Sequence, residues 1–380
     1  MINYLKIKNF KIHKEMEIRL LPLTLLAGTN GSGKSSIIQA LLLLRQSMIN
    51  DQITNLKLSG SLCNIGFRQD ALCMLADDDE IAFTVNDSNW TFAVDTHEVG
   101  KNSLPIINEI SPAEASRLHL FGNGFQYISA YRQGPQNSYS SDTNLVDSQR
   151  QISIQNGKCE NIAYFLYHFG IENDTRVPES LRNPTCNSSS LLDQVSAWEG
   201  QISAGIRVKP SLQGQEYSLR YSFDNIIADN GALDVVSKQE YLPTNVGFGV
   251  SYSLPIVAAL LTAQPDDLII VENPEAHLHE SGQVALAHLI SMAAQSGIQV
   301  IIETHSSHIL EGILIDTKEF EQGKPGIDKS NVSLAFFCKD PSTQVSKVEC
   351  PRIVGDAKLD FEPIGFFDQS AKNLEQIMGF

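Results

Sequence analysis

Gly28-Thr29-Asn30-Gly31-Ser32-Gly33-Lys34-Ser35 follows the apolar run Leu23-Thr24-Leu25-Leu26-Ala27 and precedes Ile37, Ile38, Leu41, Leu42 and Leu44 at helical spacing. The run before it carries no polar alternation and reads as a strand buried on both faces. Strand, glycine turn and helix are therefore laid out within 23–47. The turn fits G-x4-G-K-[ST] in full. Gly28, Gly31 and Gly33 let the backbone turn tightly and aim N–H groups at phosphate oxygens, and the following helix adds its positive N-terminal end. In such a cradle Lys34 reaches the β- and γ-phosphates of a nucleoside triphosphate and Ser35 is placed to ligate Mg²⁺. Asn30, Gly31, Ser32, Gly33 and Ser36 complete the candidate nucleotide-binding set.

Upstream, 2–8 alternate apolar and polar residues, and Ile18, Leu20 and Leu21 mark another short strand. Downstream, 81–85 and 90–94 flank Asn86-Asp87-Ser88-Asn89, a hairpin signal. Residues 125–130 read as a strand, 136–158 as an exposed polar loop rich in Ser, Asn, Gln and Asp, 160–205 as helical patches, and 217–223 as a strand again. From 252 onward the pattern is strictly α/β: helices over 254–261, 283–294 and from 306, with buried strands over 267–272 and 299–304. This implies a mainly parallel sheet whose two halves lie at opposite ends of the chain.

The second half supplies acids at strand ends. The apolar 268–271 run delivers Glu272 to the carboxyl edge of the sheet, where ligands bind in such folds and a carboxylate can join a metal shell. Glu275 is spaced to orient or deprotonate an attacking water. His305, after the next buried strand, is placed to touch a γ-phosphate. The catalytic candidates are thus Glu275 and His305, and the metal candidates Ser35 and Glu272. A zinc pair from His277 and His279 is disfavoured, because the spacing suits a helix poorly and no cysteine assists. A second glycine turn, with Gly247, Gly249 and Ser251, opens onto a helix N-terminus. The first turn already holds the phosphates from one side, so this one points to a nucleotide bound across two subunits.

Composition bounds the rest. The chain has 380 residues, 42% hydrophobic and 19% charged, with a formal net charge of −16. That balance suits a globular protein and argues against non-specific wrapping of nucleic acid, although Lys6, Lys8, Lys11 and Lys14 cluster near the N-terminus. No apolar run spans a membrane, no signal peptide is evident, and the six scattered cysteines form no CxxC pair. A cytoplasmic protein with reduced thiols is expected.

Taken together, these motifs resemble the ABC-type ATPase heads of the SMC-like and OLD-like class. The opening 5–11 resembles that class's first strand, 30–36 its P-loop, 247–251 a divergent signature motif, 269–279 its Walker B and D-loop, and 303–306 its switch histidine. Residues 127–135 and the tail 365–369 resemble a subfamily of stand-alone bacterial AAA-annotated ATPases often found in two-gene anti-phage defence modules; the PtuA ATPase of Septu systems is a relative of this kind. Glu272 stands where most such heads carry Asp, and Tyr131 where relatives often carry an acid. No clear Gln-loop is present, with Arg132 or Gln133 the nearest substitutes.

The resemblance implies an α/β P-loop NTPase fold of the ABC-ATPase head type. It would have a mainly parallel core sheet, an antiparallel β subdomain and a mixed, helical insertion. The expected divisions are 1–135 and 241–330 for the two halves of the head, 136–240 for the inserted lobe and 331–380 for a strand and tail. ATP and Mg²⁺ are the implied ligands. The implied assembly is a homodimer or higher oligomer closed by the nucleotide, with Gly247, Gly249 and Ser251 acting in trans and hydrolysis controlling a separate effector, such as a nuclease. The other readings are an ATP-sensing scaffold with negligible hydrolysis and the ATPase subunit of a repair or transport complex.

Overall fold

The computed structural model describes residues 1–94, 100–108, 111, 114, 117–203, 205–223, 226–229, 232–235, 239–340, 342–343, 345–363, 365 and 375–378. Most of the 365–369 tail thus lies outside the described residues. The elements that position the site are, in chain order, β1 (Tyr4–Phe10), β2 (His13–Arg19), β3 (Leu23–Gly28), α1 (Lys34–Ser47), β4 (Glu80–Val85), β5 (Ser88–Ala93), β6 (Phe125–Ile128), α2 (Leu191–Ile202), β7 (Ile206–Gln213), β8 (Glu216–Phe223), α3 (Phe248–Thr262), β9 (Leu268–Glu272), α4 (Glu280–Gln295), β10 (Gln299–Glu303), α5 (Ser307–Glu321), β11 (Val332–Lys339) and β12 (Ser346–Glu349).

A six-stranded sheet of order β12-β11-β3-β10-β9-β6 forms the centre, and its strands are parallel except for the β11–β12 pair. Its side chains alternate between two apolar layers, as a sheet covered on both faces requires. Leu26, Leu268, Ile270 and Ile301 face one layer with α1 and the antiparallel sheet β2-β1-β4-β5. Leu25, Ile269, Val271, Val300 and Ile302 face the other layer with α2, α3, α4 and α5. The α/β head-type architecture expected from the sequence is present, with a separate antiparallel sheet.

One expectation changes. The 136–158 stretch is not an exposed loop. It contains a short helix, Thr143–Gln149, capped by Asp142 through Leu145 N, and Tyr139, Val146 and Ile152 are buried in the same layer as α3 and α4. Its many polar residues conceal apolar positions spaced widely enough to pin the chain down. The N-terminal lysines, read as the solvated face of a strand, are largely paired on that face. Lys6 pairs with Glu15, Lys8 with Asp78 and Lys14 with Asp77, while Lys11 turns aside to donate to Gln39 Oε1.

One buried carboxyl makes stability depend on pH. Glu199 on α2 is fully buried against α3, accepts from Ser253 Oγ at 2.8 Å, and its Oε1 has no hydrogen-bond partner among the described residues. Burial pushes its carboxyl up from 4.5 to about 8. A carboxyl raised on folding holds more protons in the native than in the unfolded state. Its stability contribution is therefore complete below about 4.5 and is lost as pH rises through about 8. Glu199→Gln keeps an oxygen for Ser253 and cannot ionise. It is expected to raise Tm at pH 8.5 by a few degrees, roughly the effect of 1–2 kcal/mol in a chain of this size, and to leave Tm at pH 5 nearly unchanged. Thermal melts at the two pH values check this, and an equal shift at both would contradict it.

Candidate functional site

The β3–α1 turn is shaped by backbone conformation. Gly28, Gly31 and Gly33 have φ values of 137°, 69° and 105°, a region that L side chains rarely adopt. Space reinforces this at two of them. A Cβ on Gly28 would meet Phe337 O of β11 at 2.1 Å, and one on Gly33 would meet the His13 ring at 2.6 Å. His13 is fully buried, and its Nε2 lies 3.0 Å from Gly33 O. A carbonyl only accepts, so Nε2 carries the proton and donates. Burial lowers the imidazole pKa, which keeps this ring neutral. His13 thus holds the turn from below, a role that nothing in the local sequence announced.

Above the turn lies a cavity of about 480 Å³, lined by Asn30, Gly31, Gly33, Lys34, Ser35 and Ser36 from the turn and helix, with Lys11, Gln39, Glu303 and His305 around it. Ser32 is buried and braces the turn, its Oγ donating to Thr29 O at 2.8 Å. Lys34 Nζ donates to Gly28 O and Thr29 O, each at 2.9 Å, so its ammonium is held over the loop by main-chain oxygens. These bonds can be exchanged for phosphate oxygens of the same hydrogen-bonding character.

The acids converge from the next two strands. Glu272 ends β9, where Tyr127 Oη donates to Oε1 and Ala130 N to Oε2, both at 3.1 Å. Burial raises its carboxyl above the ordinary range. Glu275 accepts from Thr304 Oγ1 at 2.7 Å and from His305 N at 2.9 Å, so its carboxylate is fixed to the end of β10. The His305 pKa is lowered by burial and then by the charge of Lys34.

Two further residues shape this edge. Glu303 is directly opposite Glu272 in the β9–β10 register, is 5% exposed, and accepts from Ser35 Oγ at 2.9 Å. Burial, then the neighbouring Glu272 charge, pushes its carboxyl up to about 7. The available sequence signal was that β9 and β10 both end an apolar run in Glu. Arg132 is 2% exposed and is no Gln-loop substitute: it donates to Tyr252 O, Ser129 O, Glu272 O and Asn273 O at 2.6–2.9 Å. It locks the chain that follows Glu272.

The second glycine turn differs from expectation. Helix α3 starts at Phe248, so Gly249 and Ser251 lie inside it, and Ser251 is buried, facing the Tyr139 and Tyr221 hydroxyls. Ser251 therefore offers no outward hydroxyl. Gly247 faces open space, and a Cβ on Gly249 would meet His277 O at 2.8 Å. Outward from this edge stand Phe248 and Tyr131, 57% and 81% exposed, with His277 against Phe248 and Tyr252. His279 caps α4, and among the described residues no group of three His, Cys, Asp or Glu is arranged to hold a metal.

Ser35 Oγ and the Glu303 carboxyl line the cavity, and Glu272 stands opposite Glu303 on the next strand; these hard oxygen donors suit Mg²⁺ better than a softer ion. No helix among the described residues is long and apolar enough to cross a membrane, and all six cysteines are free.

A family model described as an AAA ATPase domain matches residues 1–97 and 86–310. No curated protein matches the sequence. Among solved structures, an SMC head bound to the C-terminal winged-helix domain of ScpA aligns at TM-score 0.52 and 13% identity, covering 93% of this chain and 98% of that one. The SMC head domain from Thermotoga maritima aligns at TM-score 0.44 and 13% identity, covering 92% and 98%. An SMC head from Pyrococcus furiosus aligns at TM-score 0.48 and 12% identity, covering 99% of each chain. The first of these alignments establishes a shared fold.

Proposed function

Because the chain belongs to the AAA ATPase domain family, we propose that it binds ATP with Mg²⁺ in the cavity above β3 and hydrolyses it. The observation that carries this reading is convergence: Lys34 and Ser35, Glu272, and Glu275 with His305 come from separate elements to one carboxyl edge of a parallel sheet. In this reading 1–135 and 241–330 form the head, with 136–240 inserted and 331–380 closing the sheet.

The residues divide the work by chemistry. Main-chain N–H groups of the turn and the Lys34 ammonium hold the phosphates, with Asn30, Gly31, Ser32, Gly33 and Ser36 shaping the cradle. Ser35 and Glu272 would hold Mg²⁺, which supplies charge neutralisation at the phosphates when bound. Glu275, its carboxylate held by Thr304 and His305, accepts a proton from the attacking water. The largely neutral His305 ring contacts the terminal phosphate.

A second copy closes the site in this reading. Support comes from the aromatic edge of Tyr131 and Phe248 beside Gly247, exposed next to the Glu275 loop. The contribution in trans then comes from the Gly247 and Gly249 backbone and the Phe248 ring rather than from Ser251. We further infer that assembly controls a separate effector, such as a nuclease, in anti-phage defence. The support is the resemblance of 127–135 to ATPases of such modules, and a head of the same fold that binds a ScpA domain.

Lys34→Ala tests the core of the reading. Charged hydrogen bonds contribute about 1.5–3 kcal/mol each, so losing two predicts at least a ~100-fold weaker affinity for a fluorescent ATP analogue. Equal affinity in wild type and variant would remove the reading.

A further inference from the structure

The ends of β9 and β10 present an uncompensated pair of acids. Parallel pairing sets Glu272 opposite Glu303, and Glu303 opposite Leu26 of β3. Paired residues on neighbouring strands share a face and stand about 4.8 Å apart. Alternation fixes which face this is. Ile302 and Val271 point into the α2–α5 layer, so Glu303 and Glu272 point to the other side, where α1 begins with Lys34 and Ser35. The Ser35 Oγ bond to Glu303 Oε1 confirms the direction.

Like charges directly opposite in a sheet are destabilising, and a buried carboxylate needs a partner. Glu272 finds two neutral donors, Tyr127 Oη and Ala130 N. Glu303 finds one, and its Oε2 is buried with no partner among the described residues. The two cations whose charges reach the pair, Lys34 and Arg132, direct their donors to main-chain carbonyls instead. Two acids, one buried oxygen without a partner among the described residues and a hydroxyl on the adjoining helix make a set of hard oxygen donors of the kind Mg²⁺ takes.

We propose that Glu303 is a second carboxylate of the metal site, so that Mg²⁺ accompanying the nucleotide is held by Ser35, Glu272 and Glu303 together. This rests on the ATP–Mg²⁺ reading of the cavity. It adds that β10 supplies a metal-positioning acid as well as His305. The Ser35 hydroxyl, which donates to Glu303 Oε1 at 2.9 Å, would be the third ligand of this set.

The test is Mn²⁺ binding, read by electron paramagnetic resonance, in full-length protein with a non-hydrolysable ATP analogue. Analogue binding with Mg²⁺ and in EDTA is measured separately by fluorescence. Glu303→Gln retains an oxygen for the Ser35 hydroxyl and removes the charge. Its Mn²⁺ affinity is expected to fall 10- to 100-fold, roughly the range seen when groups supporting a metal site are changed. Glu303→Asp keeps a carboxylate and is expected to fall between wild type and Gln. A purely structural Glu303 would give the reverse order, since Gln preserves shape and Asp does not. Mn²⁺ affinity of Glu303→Gln within twofold of wild type, or Gln binding Mn²⁺ as well as or better than Asp, overturns the inference. Failure of the wild type to bind the analogue both with Mg²⁺ and in EDTA overturns the ATP reading, and this inference with it.

Discussion

Glu275→Gln is expected to lower ATP turnover by about 100- to 10,000-fold, the usual contribution of a positioned general base, while ATP binding persists. The geometry makes this a clean substitution. Glu275 Oε1 accepts from His305 N, which can only donate, and Oε2 accepts from Thr304 Oγ1, a hydroxyl able to donate or accept. A glutamine can present its oxygen to His305 and its amide to Thr304, so the loop stays in place and only the proton acceptor is lost. Turnover is read as phosphate release, binding with a fluorescent analogue, and assembly by light scattering with and without ATP. In the hydrolytic reading the ATP-bound assembly of the variant persists or accumulates, because nothing resets it. A variant that hydrolyses ATP like the wild type would remove Glu275 as the base. A wild type with no turnover would favour ATP as a sensed ligand over ATP as fuel.

Features legible in the sequence are those whose cause is local. The 28–35 turn announces itself because the glycines, the lysine and the flanking strand and helix are contiguous. Glu272 and His305 could be placed because each follows a short buried strand, and strand ends in parallel sheets face ligands. Features missed depend on what lies across the fold. Glu303 looks like any strand terminus until the register sets it opposite Glu272. His13 looks like a polar residue at the start of a strand until β3 and α1 close over it. The sequence shows Lys8 and Lys14 on a solvated face but not their partners, Asp78 and Asp77, which arrive from distant sequence. Polar composition hid the packing of 136–158, because three well-spaced apolar residues, Tyr139, Val146 and Ile152, anchor a stretch that averages as a loop. Ser251 shows the opposite failure: a motif-like serine followed a glycine turn, but the helix began earlier and turned the side chain inward.

Arg132→Ala is expected to destabilise the protein by about 3–5 kcal/mol, the range for removing one member of a buried polar network and a large share of a typical domain's stability. The side chain bridges four main-chain carbonyls on three segments: Ser129 after β6, Tyr252 in α3, and Glu272 with Asn273 after β9. Its plane also stacks near the Tyr252 ring, 5.1 Å from the centroid. Truncation leaves buried carbonyls without donors and a cavity where the guanidinium lay, and both effects act in the same direction. Arg132→Lys supplies one compact ammonium that cannot span all four oxygens, so an intermediate loss is expected. Denaturant midpoints rank the three proteins. The consequence for function is separable from stability. Arg132 fixes the carbonyls of Glu272 and Asn273, immediately before the loop that carries Glu275, whereas Lys34 and the glycine turn belong to β3 and α1. At a temperature where Arg132→Lys remains folded, turnover should therefore fall more than affinity for the ATP analogue does. Equal losses in both would place the role of Arg132 in general folding rather than in aligning the acidic edge of the site.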